Sequence, residues 1–289
     1  MTSVDPGLRG ALEGTLGSGC VEVAPVHGGD VAIAYRVDLA DGRRVFAKTH
    51  AAPPAGFFTT EAAGLSWLRE TGALSVPEVL ATSDEHPAHL VLEWIDAGRA
   101  TGATEADLGR GLAALHRAGA PFFGREDRRT TGSRGLPNEP TSTWAEFYAT
   151  NRLLPLARLA RAGGALPERA IVAMERLATR LEEVGGPIEP PSRLHGDLWA
   201  GNRLVGAGGT SWLIDPAAHG GHREFDLAMM RLFGGFGADC YAAYAEAHPL
   251  SDGWQDRIPL HQIAPLVVHA IKFGGGYGPA AVDAIERYR

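Results

Sequence analysis

The chain has 289 residues, of which 45% are apolar and 21% are charged, and its formal net charge is −7. This length is enough for one large domain or for two lobes around a cleft, and the composition is ordinary for a soluble globular protein. The acidic balance argues against broad nucleic-acid binding, which requires a clustered basic face.

The sequence also contains no segment that predicts export or membrane insertion. Residues 1–10 include Asp5, Pro6 and Arg9 and no apolar core, so we do not expect a signal peptide. No run approaches eighteen apolar residues, so nothing is expected to span a membrane. Cys20 and Cys240 are most simply free thiols in a reducing compartment. We therefore expect a cytoplasmic protein without a nucleic-acid or membrane partner.

Residues 20–50 have the pattern of antiparallel strands joined by tight turns. Valines precede the turn 27–30, a second strand follows, and the Asp41-Gly42 hairpin signal leads into Val45-Phe46-Ala47-Lys48. Most glycine pairs are ordinary turns, but Gly28 and Gly29 lie one hairpin before a lysine, where kinases place their phosphate-binding loop. We therefore predict that Gly28 and Gly29 bind nucleotide, although the flanking His27 and Asp30 are unusual there.

Lys48 is conspicuous because it and Lys272 are the only lysines among 27 basic residues. It ends a strand, and the following segment 57–71 has the pattern of a helix with Glu61 near its start. In kinases such a lysine binds the nucleotide phosphates and is held by a helix glutamate. Glu61 would also complement a helix dipole, but its spacing favours an ion pair with Lys48.

The chain loosens after a strand predicted at 89–95. We place a boundary near Asp96, giving a nucleotide-binding lobe of residues 1–95 and a helical lobe of residues 96–289 with the catalytic loop and substrate site. Thr104 would cap the first helix of the second lobe, and His116 would end it. The arginine-rich loop 125–134 is most simply a solvated surface. Helices are predicted at 104–118, 144–159, 167–184, 263–271 and 280–288.

Three polar side chains carry the main chemical signal. Asp197 and Asn202 lie five positions apart in His195-Gly196-Asp197-Leu198-Trp199-Ala200-Gly201-Asn202, and the apolar run Trp212-Leu213-Ile214 ends at Asp215. In phosphoryl transfer by kinases, one Asp accepts the proton of the attacking hydroxyl, and an Asn and a second Asp hold magnesium. Magnesium prefers such oxygen ligands. The pattern predicts Asp197 as catalytic base and Asn202 and Asp215 as metal ligands.

The loop resembles that of the fructosamine kinase (ketosamine-3-kinase) family, within the aminoglycoside-phosphotransferase and protein-kinase-like superfamily. Its Leu-Trp pair and glycine carry this resemblance, together with Ile214-Asp215-Pro216-Ala217 and the segments 221–229 and 232–236. The likeness extends from about residue 20 to the end. It implies an α+β, protein-kinase-like two-lobed fold, with a small antiparallel-sheet N-lobe and a larger, mostly helical C-lobe, and the cofactors ATP and Mg²⁺.

The resemblance also implies a substrate and further site residues. Fructosamine kinases phosphorylate the 3-hydroxyl of a ketosamine, such as a fructosamine or ribulosamine on a glycated lysine, and the unstable product frees the amine. The backbone of Glu93 and Trp94 would contact the adenine edge at the hinge, and Asp226 would hold the backbone of the catalytic loop. Trp199 would meet the sugar or ammonium group of the substrate, unless it serves only in packing.

Three other functions stay open at this point. The chain is alternatively an aminoglycoside or other small-molecule hydroxyl kinase, a protein kinase, or a nucleotide-binding regulatory module without turnover. The short segment after Asp215 and its Pro216 count against a protein kinase, and the complete set of polar residues counts against the regulatory module. A zinc site at His195, His219 and His222 is disfavoured, since no cysteine lies nearby.

Overall fold

A computed structural model describes residues 6–26, 32–127, 130–131 and 135–289. The predicted nucleotide-binding Gly28 and Gly29 lie outside these ranges, as do Arg128, Arg129 and Arg134 of the arginine-rich loop. The strands in the described ranges are β1 (Cys20–Val26), β2 (Ile33–Leu39), β3 (Arg44–Thr49), β4 (Val79–Ser83), β5 (His89–Glu93), β6 (Thr130–Thr131), β7 (Leu136–Pro137), β8 (Ser192–Leu194), β9 (Arg203–Val205), β10 (Ser211–Leu213) and β11 (His219–Gly221).

The α-helices in the same ranges are α1 (Pro6–Leu16), α2 (Phe57–Arg69), α3 (Thr104–Arg117), α4 (Trp144–Tyr148), α5 (Leu154–Gly163), α6 (Glu168–Ala178), α7 (Leu181–Val184), α8 (Glu224–Phe233), α9 (Ala238–Ala247), α10 (Trp254–Phe273) and α11 (Tyr277–Glu286). None of the described helices is long and apolar enough to cross a membrane. The chain divides into two compact units, one made of residues 1–101 and 204–216 and the other of residues 102–203 and 217–289.

The first unit is built on a five-stranded antiparallel sheet with the order β1-β2-β3-β5-β4. Its register follows from the alternation of the strands, since Val37 of β2 pairs with Val45 of β3 and both are buried. On the neighbouring pair, Arg44 Nε donates to Asp38 Oδ1 at 2.6 Å. Helix α1 packs Leu8 and Leu12 into the same core.

The hairpin of β9 and β10 belongs mainly to the first unit. In the sequence, however, it comes directly after a loop of the second unit. Gly98 N–H donates to the Val205 carbonyl at 2.8 Å, and Leu213 N–H donates to the Ser75 carbonyl at 2.9 Å. The sequence placed residues 96–289 in one continuous lobe, whereas residues 204–216 cluster with the sheet unit. Such a return of the chain leaves no signal in local composition, because it depends on hydrogen bonds between distant segments. The division into a nucleotide lobe and a substrate lobe stays a proposal.

The second unit is mostly helical and has its own apolar core. Helix α6 shows why: Ala170, Ile171, Met174 and Leu177 recur at helical spacing and are buried. In α3, Leu108, Leu112 and Leu115 form a buried stripe. Thr104, however, is the first residue of this helix rather than its cap, and Ala103 precedes it without a side-chain capping bond.

Two predicted helices are interrupted. The segment 144–159 contains a π-helical turn, Ala149–Leu153, because Pro155 has no N–H with which to continue the regular hydrogen-bond pattern. The segment 167–184 breaks after α6, where Arg180 has the non-helical angles φ −120° and ψ 10°. The helix predicted at 263–271 is longer and spans Trp254–Phe273. The helix predicted at 280–288 begins and ends earlier, at Tyr277–Glu286.

Candidate active site

In the first unit, Lys48 lies between two carboxylates. Its Nζ is 2.5 Å from Glu61 Oε1 and 2.9 Å from Asp215 Oδ1. Strand β3 supplies the lysine, helix α2 the glutamate, and the segment just after β10 the aspartate. The predicted ion pair between Lys48 and Glu61 is therefore confirmed, and Asp215 joins it.

The charges of this cluster do not balance, because two carboxylates share one ammonium group that is only 8% exposed. Burial disfavours the charged lysine, yet the attraction of Glu61 and Asp215 prevails and raises the pKa of Lys48. Burial raises the pKa of Glu61 to about 7, with Lys48 opposing the shift. In this cluster Lys48 is therefore charged, and the neighbouring Glu61 releases its own proton at a higher pH than an ordinary glutamate does.

Asp215 adopts a strained backbone conformation. Its φ of 52° makes it the one non-glycine residue with positive φ in the described ranges. Aspartate tolerates the left-handed region better than most residues, but the conformation still costs free energy and is typical of functional positions. The backbone strain and the bond to Lys48 together fix the direction of this carboxylate.

In the second unit, a buried aspartate anchors the loop that follows β8. Asp226 Oδ2 accepts from His195 N–H at 2.8 Å, and Asp226 Oδ1 accepts from Gly196 N–H at 2.9 Å. This contact confirms the structural part expected for Asp226. Burial opposes its ionisation, but the bond from His116 and the loop amides lower the pKa of Asp226.

His116 supports the same anchor from α3. Its Nε2 lies 3.3 Å from Asp226 Oδ2, and its Nδ1 lies 2.8 Å from the Tyr244 hydroxyl. Since a carboxylate only accepts, His116 Nε2–H donates to Asp226, and Nδ1 forms the hydrogen bond with the Tyr244 hydroxyl. His116 is thus a buried part of the loop support, which goes beyond the helix-end position that the sequence suggested.

The same loop holds Asp197 and Asn202 together. Asn202 Nδ2 donates to the Asp197 carbonyl at 2.8 Å and to Asp197 Oδ2 at 3.1 Å. The tight turn before Asp197 requires glycine, because Gly196 has φ 80° and a Cβ there would lie 2.2 Å from the Ala217 carbonyl oxygen. The Asp197 carboxylate is therefore oriented by Asn202 and by a turn that no other residue fits.

Trp199 lies between Asp197 and Asn202 in the same loop, and its side chain is 40% exposed. A Cβ on Gly201 would lie 2.2 Å from the indole, so the ring lies against the bare glycine backbone. Phe233 also contacts the indole, at 6.0 Å between ring centroids and in an edge-on arrangement. An exposed aromatic side chain with these two neighbours is a preformed contact surface.

The aromatic contacts continue away from Trp199 through residues that the sequence interpretation missed. The centroid of Phe233 lies 5.0 Å from that of His269, and His269 lies 5.0 Å from Tyr277. We call Trp199, Phe233, His269 and Tyr277 the aromatic row. The sequence pattern that could have indicated this row is the spacing of His269, Phe273 and Tyr277 at intervals of four residues. Such spacing is equally typical of a helix packed in a core.

Glu93 and Trp94, the predicted hinge residues, lie at the end of β5 and just beyond it. The Glu93 N–H donates to the Glu78 carbonyl at 3.0 Å, so this amide is engaged within the protein. Trp94 Nε1 donates to Asp96 Oδ1 at 3.0 Å. The adenine contact by Glu93 would therefore use its carbonyl, and an N–H donor to adenine would come from another residue.

The histidines considered for zinc serve in packing. Burial lowers the pKa of His219 to about 3 and that of His222 to about 4, so both rings are neutral. His222 instead stacks on His261 near Glu224, and the ligand atoms of these three lie within 4.8 Å of one another. Both Glu224 oxygens already accept from Arg257, at 2.8 and 2.6 Å. We call Glu224, Arg257, His222 and His261 the structural cluster.

A sheet lysine paired with a helix glutamate, together with a glycine-hinged loop that presents Asp197 and Asn202, defines a phosphotransferase of the protein-kinase-like class. Solved small-molecule phosphotransferases share this fold. The chain belongs more narrowly to the fructosamine kinase family, whose sequence profile, described as "Fructosamine kinase", matches residues 12–289.

Individual relatives cover nearly the whole chain. A "Probable ketoamine kinase" of Lactiplantibacillus plantarum is 37% identical over 92% of this chain and 94% of its own. A "Protein-ribulosamine 3-kinase, chloroplastic" of Arabidopsis thaliana is 33% identical over 95% of this chain and 82% of its own. The crystal structure of a "putative fructosamine-3-kinase" from Thermobifida fusca is 39% identical, covers 99% of both chains and superposes with a TM-score of 0.90.

Proposed function

We propose that the protein transfers the terminal phosphoryl group of ATP to the 3-hydroxyl of a ketosamine, such as a fructosamine or ribulosamine on a glycated lysine. The observation that carries this proposal is the loop 195–202, where Asp197 is bonded to Asn202 next to the exposed Trp199. Family membership supports the same reaction, as do the ketoamine, ribulosamine and fructosamine names of its relatives.

Lys48 and Glu61 form the nucleotide side of the proposed mechanism. The ammonium group of Lys48 would bind the phosphate oxygens, and Glu61 would keep that group in place, since their ion pair is already formed. Gly28 and Gly29 would bind the phosphates, and Glu93 and Trp94 would contact the adenine. These assignments follow from the resemblance to kinases.

Asn202 of the second unit and Asp215 of the first are each proposed as a magnesium ligand on the chemistry of their donor atoms. Asn202 directs Nδ2 to Asp197, so its amide oxygen points away from that residue, and Asp215 offers a carboxylate held by Lys48. Oxygen donors of this kind are the ligands that Mg²⁺ takes. When bound, Mg²⁺ would neutralise phosphate charge and lower the barrier to attack.

Asp197 would orient the substrate hydroxyl and accept its proton as the oxygen attacks phosphorus. Its bond from Asn202 and the anchoring of residues 195 and 196 by Asp226 fix the carboxylate before substrate arrives. Positioning would supply most of the rate, and general-base catalysis about 10²- to 10⁴-fold. Asp197→Asn is expected to retain nucleotide binding and to lose turnover, and a variant with normal turnover would contradict the assignment.

The aromatic row would form the wall of the acceptor site. Trp199 offers an indole face next to Asp197, and such a face binds sugar rings and ammonium groups. Phosphorylation at the 3-hydroxyl would give a labile product that releases the amine, so the overall effect would be deglycation. We also propose a cytoplasmic location, in keeping with the two free and buried thiols of Cys20 and Cys240.

The direct test is ATP consumption with magnesium across fructosyl-, ribulosyl- and erythrulosyl-lysine, aminoglycosides and simple sugars. Turnover on a ketosamine, with phosphate located on the 3-hydroxyl, is the expected result. Turnover restricted to aminoglycosides or simple sugars would keep the kinase chemistry and overturn the substrate. ATP binding without any consumption would favour the regulatory module.

A further inference from the structure

A groove of about 540 Å³ lies on the second unit between α6 and the end of the chain. Its floor is apolar, with Val172 and Ala173 of α6 and the half-buried Tyr288. Four arginines surround this floor. We call this surface the arginine groove, and its arginines are Arg169, Arg176, Arg180 and Arg289.

The positive charge of the groove is only partly neutralised by neighbouring acids. Arg180 pairs with Glu183 at 3.1 Å, and Arg289 pairs with Glu286 at 3.3 Å. Glu168, which also lines the groove, is bound by Arg161 at 2.8 Å. Among the residues that the structure describes, no ion pair or hydrogen bond engages the side chains of Arg169 and Arg176.

Helix dipoles explain only some of these arginines. Cations near the last turn of a helix are favourable, which accounts for Arg176 at the end of α6. Arg169 lies in the first turn of the same helix, where the dipole disfavours a cation. Two unpaired arginines, seven positions apart on one face and in a chain of net charge −7, therefore indicate a surface suited to an anionic ligand.

Helix α11 connects this groove to the aromatic row. Its first residue, Tyr277, contacts His269 of the row, and Tyr288, two residues beyond its end, lines the groove. Ten helical residues span about 15 Å. A chain segment of a few extended residues covers the same distance.

We propose that the arginine groove docks an acidic segment of the glycated protein whose ketosamine the active site phosphorylates. This inference rests on the proposed function and adds to it that protein-bound substrates are favoured over free ones. The arginines would pair with Asp and Glu side chains, and the apolar floor would receive the side chains between them. The contact would increase the rate of encounter and the affinity without changing the chemical step.

The test compares a free ketosamine with the same ketosamine on an acidic protein, glycated serum albumin. The variants are Arg169→Glu and Arg176→Glu, and Arg158→Glu on α5 is the matched control, since it is exposed and lies outside the groove. Each groove variant is expected to lower kcat/KM for the glycated protein about 3- to 10-fold at low salt, through KM, and to approach wild type as salt is raised. Activity on the free ketosamine is expected to stay unchanged.

Two results would overturn the docking surface. One is an equal loss on both substrates, which would indicate a structural effect, and the other is a loss as large in Arg158→Glu as in the groove variants. If the wild type is inactive on every ketosamine, the proposed function fails, and the groove is then judged by binding alone. A fluorescent polyglutamate peptide should bind the wild type and not Arg176→Glu. Equal binding to both proteins would overturn the docking surface. So would displacement of the peptide by inorganic phosphate at a concentration equal to that of the peptide's carboxylate groups.

Discussion

Two buried charged groups in this protein differ in a way that separates function from structure. In the structural cluster, Glu224 is 1% exposed and receives two hydrogen bonds from Arg257. Of the histidines beside it, His222 is neutral, and His261 Nε2 lies 3.4 Å from the same carboxylate. Around Lys48, by contrast, two carboxylates compete for one ammonium group. A balanced buried cluster is complete without a ligand, whereas an unbalanced one is arranged to receive further charge.

The largest expected effect is on catalysis at Lys48. Lys48→Met should lower kcat/KM by roughly 10²- to 10⁴-fold, because phosphate binding and charge neutralisation are lost. The free energy of unfolding at pH 7 should change by only about 1 kcal/mol, since Glu61 can take up a proton when its partner is removed. Steady-state kinetics and urea unfolding measure the two effects separately.

The opposite outcome is expected for the structural cluster. Burial disfavours the charged form of Glu224, but bonds from His261 and Arg257 prevail and lower its pKa to about 2. Glu224→Gln should therefore cost about 3 kcal/mol of stability, because the half-buried Arg257 loses its counter-charge. The kcat per folded molecule should stay near wild type. A stable but inactive Glu224→Gln protein would break the contrast between the two clusters.

A smaller effect should appear in the pH dependence of stability. The folded pKa of Glu61 is raised from 4.5 to about 7, so between these values the folded protein binds a proton that the unfolded chain has released. The contribution of Glu61 to the free energy of unfolding is on the order of 1 to 3 kcal/mol. It is fully present below pH 4.5 and is lost as the pH rises through 7. Glu61→Gln should remove this slope in urea unfolding at pH 5 to 8, and the exposed Glu182→Gln should retain it.

The smallest effect is expected at the edge of the acceptor site. Trp199→Ala should raise KM for a ketosamine about 5- to 30-fold, the value of a cation–π or stacking contact of 1 to 2 kcal/mol. Gly201→Ala should do so as well, because its Cβ would displace the indole. An unchanged KM in Trp199→Ala would remove Trp199 from the site and leave it a packing residue. Thermal unfolding of each variant serves as the control for folding.

The sequence predicted the parts of the site that depend on local order along the chain. Lys48 at a strand end, Glu61 on the next helix and the spacing of Asp197 and Asn202 are visible as short patterns, and the ion pair they imply is present. The family resemblance, the two-lobed α+β class and the kinase chemistry were likewise within its reach.

The features that the sequence could not predict depend on contacts between distant residues. Tyr244 reaches His116 across 128 positions, and no local pattern marks that bond. The aromatic row joins one loop and three helices, and the arginine groove brings α6 beside the end of the chain. The interruption at Ala149–Leu153 is different, because Pro155 is visible in the sequence, and the prediction of one continuous helix gave it too little weight.

The return of residues 204–216 to the sheet unit has a consequence for how the protein is made. A fragment that ends at Thr101 contains Lys48 and Glu61 but neither the β9–β10 hairpin nor Asp215. On the ribosome, the first unit therefore cannot complete its hydrogen bonds until more than two-thirds of the chain has been synthesised. Expression of the separate units would require residues 204–216 to be grafted behind Thr101, so the two halves of this enzyme are not modules that simple truncation can separate.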